Sequence, residues 1–116
     1  MKVALGQFAV APEWSTNLAQ CVSLIDKAAT EGAKLLILPE SIIAADMNDP
    51  RITVRTVQPL DGHFVTGLVD ALAGRDLTVI CCIATPDSAF GLTHNCQIVP
   101  NHSGPIATFR HPQLHH

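Results

Sequence analysis

Short apolar runs alternate along the chain with stretches in which apolar residues recur every three or four positions. That alternation predicts strands and helices in turn. Residues 1–10 read as a first strand, closed by Ala11-Pro12. Leu18, Cys21, Val22, Ile25, Ala28 and Ala29 then share one helical face. Ser15, Thr16 or Asn17 can cap the start of this helix, and Gly32 stands where a left-handed C-terminal residue is wanted. Residues 34–38 form a run without alternation, as expected of a strand covered on both faces, and Pro39 ends it.

Residues 44–61 are polar, with turn signals at Asn48-Asp49-Pro50 and Pro59-Leu60-Asp61-Gly62, and read mostly as loop. Phe64, Val65, Leu68, Val69 and Leu72 mark a second helix that Gly74 ends. Residues 77–84 form a second buried strand, stopped by Thr85-Pro86-Asp87. Residues 95–99 and 105–110 are short, apolar-rich runs bounded by turn residues, so they predict a hairpin through residues 100–104. Strands alternating with helices and followed by a hairpin indicate an α/β protein, a layered mixed sheet with flanking helices.

A length of 116 residues suits one domain, taken here as residues 1–116. The formal net charge of -3 leaves no basic footprint for a phosphate backbone, so no nucleic-acid partner is expected. No apolar stretch is long enough to cross a bilayer, and no membrane partner is expected either. Near the N-terminus, Gly6 and Gln7 interrupt the apolar run after Lys2, which suits a strand better than a leader. Cys21, Cys81, Cys82 and Cys96 lack CxxC spacing, and the adjacent Cys81 and Cys82 point to opposite faces of a strand. They read as reduced, buried thiols of a cytoplasmic protein.

Glu40 is the most informative position. It follows a buried strand immediately, at the end where α/β folds place their ligands. A carboxylate at such a mouth loses solvent, which raises its pKa and suits it to general-base work. The structural alternative is a Glu in the first turn of a helix after Pro39, favoured there by the helix dipole. His111, His115 and His116 cluster without acidic or thiol partners, while His63, His94 and His102 lie near turns without ligand spacing. No metal is assigned.

The segment Leu35-Leu36-Ile37-Leu38-Pro39-Glu40, after a strand bearing Gly6-Gln7 and a helix beginning near Asn17-Leu18, resembles the nitrilase (carbon–nitrogen hydrolase) superfamily. Asp61-Gly62 resembles the family's turn into its second helix, and Asn95 resembles the Asn of its next strand. Gly104-Pro105-Ile106-Ala107-Thr108-Phe109-Arg110 is similar to its Gly-x-Ile-x-x-Tyr-Arg segment. The opening Gly6-Gln7-Phe8-Ala9-Val10 is similar to that of bacterial deaminated glutathione amidase-like proteins. The likeness covers essentially the whole chain.

That resemblance implies the N-terminal portion of an αββα sandwich. It also implies an amidase of small carboxylic amides that needs no cofactor. The family uses a Glu base, a Lys that holds the oxyanion, and a Cys nucleophile. Glu40 matches the base. His111 stands where the Lys is expected, directly after Phe109-Arg110, although an imidazole is shorter and largely neutral near pH 7. Lys2, Lys27 and Lys34 all precede Glu40, and no cysteine follows Cys96. One catalytic part of three is therefore present, and a frame change or early stop near residue 110 would produce such an ending.

The resulting expectation is an amidase lineage whose chain is inactive in this truncated form. The alternative is a non-catalytic remnant or association module of the same fold. Half a sandwich leaves a sheet edge and an apolar face uncovered, so self-association or a homodimer is expected. A doubly wound ligand-binding domain is disfavoured, because Ala11-Pro12-Glu13-Trp14 is no phosphate loop.

Overall fold

Strands β1 (Val3–Leu5) and β2 (Leu35–Ile37) are joined through helix α1 (Trp14–Thr30). Helix α2 (His63–Ala71) leads into β3 (Thr78–Ile83), and β4 (Leu92–Ile98) and β5 (Pro105–Pro112) follow. The computed structural model describes residues 1–39, 42–46, 48–49, 52, 58, 62–83, 92–99 and 105–112. The strands form one sheet in chain order, with β1–β2–β3 parallel and β3–β4–β5 antiparallel. A parallel pair needs a crossover, which α1 supplies for the first pair and α2 for the second. The result is the mixed α/β sheet with helices that the patterning predicts.

Both crossovers step across the sheet in one direction, so right-handed connections put both helices on one side. Cys21, Ile25 and Ala28 of α1 and Phe64, Val65 and Leu68 of α2 are buried there. They join Leu36, Val79, Cys81, Ile83 and Ile98 in one apolar core. Ala4, Leu36, Val79 and Ile98 are successive partners in register and make one row on that face.

The neighbouring row, Leu5, Ile37, Ile80 and Gln97, belongs to the other face. Leu5 is 69% exposed and Ile37 36%, and Val3 on the same face is 48% exposed. The run over residues 34–38 was expected to be covered on both faces, and the structure covers one. Among the described residues no element lies over the second face, because both helices are spent on the first.

The first strand is three residues long where ten were expected. Its partner β2 has only three residues to pair with, from Val3–Leu35 to Leu5–Ile37. Gly6 still donates to the Ile37 carbonyl at 2.8 Å before the chain leaves the sheet. The hairpin is longer than the apolar pattern implied, running from Leu92–Pro112 to Ile98–Pro105 with an irregularity at Gln97/Ile98. A ladder continues wherever two backbones stay opposed, whatever the polarity of the side chains. Ile52, read as loop, donates its N–H to the Asp49 carbonyl and is buried.

Helix ends follow the sequence at one terminus and depart from it at the other. Glu13 occupies the N-cap of α1 without a side-chain hydrogen bond, so Ser15, Thr16 and Asn17 do not cap it. At the far end Gly32 has φ +81°. Its N–H donates to the Ala29 carbonyl and that of Ala33 to the Ala28 carbonyl, at 3.1 and 3.0 Å. This is the Schellman arrangement, and Ala28 and Ala33 at its two ends are both buried. At α2 the Gln58 side chain accepts the Phe64 N–H at 2.8 Å, and Gly74 at φ +74° follows the last turn.

A Cβ at Gly32 would meet nothing within 4 Å, so only backbone strain opposes a side chain there. Gly32→Ala is expected to lower stability by about 1–2 kcal/mol. Urea denaturation checks this as a lower midpoint at unchanged slope.

Candidate functional site

The C-terminal ends of β1 and β2 open onto a cleft of ≈ 400 Å³. Leu5 at the end of β1 with Gln7 and Phe8 after it, and Ile37 at the end of β2 with Leu38 and Pro39 after it, line the cleft. Parallel strands place ligand clefts at this end, where the chain leaves the sheet. Leu38 is fixed by donating to the Ile80 carbonyl at 2.9 Å, so Pro39 is carried on a paired backbone. Glu40 follows Pro39 in sequence and lies outside the described residues.

The chain beyond Glu40 is held from the opposite side. Ile42, Ile43 and Ala44 are buried, and Ala45 donates to the Ala11 carbonyl at 3.0 Å. Asn17, 0% exposed, is the buried polar side chain among the described residues. Its Oδ1 accepts the Ala11 N–H at 2.7 Å. Its Nδ2 donates to the carbonyls of Ala11 and Ile43, both at 2.8 Å. Sequence reasoning offered Asn17 as a helix cap and missed this role. A helical asparagine beside the first loop was the available signal, but its partners are residues far apart in the chain.

His111 belongs to β5 and stands opposite Thr93 of β4, with its side chain outside the description. The row through Ile37, Ile80, Gln97 and Ala107 lies four positions before it. Because β5 runs parallel to β2, His111 and the end of β2 lie toward the same edge of the sheet. Two strands intervene, a lateral separation of about 14 Å between β2 and β5. The strand frame by itself brings these two positions to one edge without bringing them together.

The thiols have distinct surroundings. Cys21 is buried in α1, and burial pushes its pKa from 9.0 to about 12. A thiol held protonated to that degree is a poor nucleophile. Cys81 is buried beneath the helices, whereas Cys82 faces the other way and is half-buried, which corrects the expectation that both are buried. Neither is in a disulfide. Cys96 pairs with Cys81 in register, and its side chain lies outside the description. His63 stacks on Trp14, with ring centroids 6.1 Å apart. Among the described residues no three metal-ligating side chains gather, and no helix is long and apolar enough to cross a membrane.

The sheet order and the cleft at its parallel end define a nitrilase-type α/β fold, and the comparisons agree. Residues 2–116 match the Carbon-nitrogen hydrolase family, and the chain belongs to it. It is similar to the deaminated glutathione amidase of Escherichia coli O157:H7, with 36% identity over 88 residues. That match covers 76% of this chain and 34% of the relative, so the chain spans about a third of the relative's length. The crystal structure of the C. elegans NitFhit protein superposes with a TM-score of 0.78 at 12% identity. It covers 97% of this chain and 28% of that one, a likeness of fold.

The Cys21 shift has a pH signature. Between pH 9 and 12 the unfolded thiol ionises while the folded one keeps its proton, so the unfolded state binds fewer protons. The contribution is fully present below pH 9 and falls as pH rises, by about 1.4 kcal/mol per unit across that window. Urea denaturation over a pH series should show a steeper alkaline decline for the unaltered chain than for Cys21→Ala.

Proposed function

We propose that residues 1–116 form part of one carbon–nitrogen hydrolase domain, the part that carries the general base for hydrolysis of small carboxylic amides. Glu40 is that base. The observation that carries this reading is the cleft at the ends of β1 and β2, whose described lining includes Pro39, the residue before Glu40. A carboxylate in this position takes the proton from an attacking thiol, and a fixed cation then holds the oxyanion of the tetrahedral intermediate. The name of the amidase relative supports an amide substrate. The reaction needs no cofactor.

These residues by themselves do not turn over amides in this reading. Lys2 and Lys34 immediately precede β1 and β2, at the sheet end away from the cleft. The Lys34 ammonium also pairs with Asp76 at 2.7 Å. Lys27 lies in the last turn of α1, and the Cys21 and Cys81 thiols are packed in the core. His111 is too short and too weakly charged near pH 7 to replace an oxyanion-binding ammonium. Four cysteines without CxxC spacing suit a reducing compartment, and we place the protein in the cytoplasm.

A purified 116-residue chain is expected to hydrolyse ω-amides no faster than its Glu40→Gln variant. Turnover that survives Glu40→Gln would remove Glu40 from its role. Turnover lost in that variant would instead show that these residues suffice. The positive test replaces the matched third of the E. coli amidase with this chain. Glu40→Gln in that chimera should lower kcat/KM by about 10²–10⁴-fold.

The second reading, an association module, is favoured by the bare apolar face. Val3 and Leu5 of the edge strand β1 and Ile37 beside them on β2 are exposed, so the isolated chain should self-associate. Sedimentation should show species larger than the monomer, shifted toward monomer by Ile37→Lys. A monodisperse monomer that melts cooperatively would refute this.

A further inference from the structure

We infer that Asn17 is a positioning residue for Glu40: its carboxamide clamps the chain on the far side of Glu40 to the loop that follows β1. The inference rests on Glu40 being the base. Nothing in the Asn17 geometry is that of a helix cap. A capping side chain accepts an N–H two or three residues onward in its own helix. Asn17 instead reaches back to Ala11, six residues earlier, and across to Ile43, 26 residues later.

Both partners lie in the connections that leave the parallel strands, which have no sheet ladder to satisfy their backbone groups. The Ala11 carbonyl accepts from Asn17 and from Ala45, so the two connections share one acceptor. On the near side of Glu40 the backbone is held at Leu38 by the Ile80 carbonyl. On the far side it is held at Ile43 by Asn17. The chain is therefore held on both sides of Glu40 in sequence, at Leu38 by the sheet and at Ile43 by one buried amide. A general base works only within hydrogen-bond reach of the proton it takes, so a shift of its backbone costs rate even when the fold survives.

A stabiliser of the whole fold and a local clamp differ in which amides they protect. Native-state hydrogen exchange on the 116-residue chain separates the two, with Asn17→Ala and the milder Asn17→Ser as variants. Ala11 and Ala45 report on the clamp, while Gly6 and Leu38 report on the sheet end that Asn17 does not touch. Exchange at Ala11 and Ala45 is expected to quicken by about tenfold or more in both variants, with Gly6 and Leu38 unchanged. Equal loss of protection at all four amides makes Asn17 a general stabiliser and overturns the inference. Unchanged protection at Ala45 also overturns it.

In the amidase chimera, kcat read against KM supplies a readout that packing alone does not move. Asn17→Ser is expected to lower kcat/KM by about tenfold or more, and through kcat. A loss carried by KM alone, or activity equal to that of the unaltered chimera, overturns the positioning role while leaving Glu40 as base. Turnover that survives Glu40→Gln in the chimera removes the base and overturns the inference with it.

Discussion

One buried amide organises the functional end of this sheet. Where β1 and β2 stop, their backbones lose ladder partners while still under the cover of the core, and unpaired peptide groups there would cost about 1–3 kcal/mol each. Asn17 resolves this with three hydrogen bonds from a position with no solvent exposure. The same bonds join the connection after β1 to the connection after β2. They thereby shape the exit of the two strands that frame the cleft. Stability and site geometry are two consequences of one interaction.

The second organising constraint is chirality. Two right-handed crossovers advancing in one direction leave both helices on one face, and the core forms there from Phe64, Ile25, Leu36 and Val79. Leu5 and Ile37, adjacent in register on the other face, remain exposed. Among the described residues that face therefore presents Val3, Leu5 and Ile37 to solvent, with the polar Gln97 further along the row.

The chemistry follows from where charge and thiol are allowed to sit. Cys21 lies in an apolar helix–sheet interface, and its desolvation holds it as a thiol. The lysines that flank β1 and β2 stand at the sheet's other end, where Lys34 meets Asp76 in solvent, a pair of small energetic weight. What the parallel end offers is a cleft lined by Gln7 and by apolar side chains as far as Pro39, the residue before the carboxylate proposed as base.

Much of this was legible in the residues. Periodicity located α1 and α2, Gly32 announced its left-handed φ, and the run from Leu35 into Pro39 marked a strand that ends at a cleft. Those features are local, set by propensity, turn chemistry and apolar spacing within a few residues of one another. The partners of Asn17, the single covered face of β2, the three-residue length of β1 and the half-burial of Cys82 were not legible. Each depends on which distant backbone lies alongside. The linear sequence determined the elements and the family they belong to. The tertiary structure decided which surfaces met and which were left bare, because hydrogen-bond pairing and crossover handedness act between segments that no short-range pattern relates.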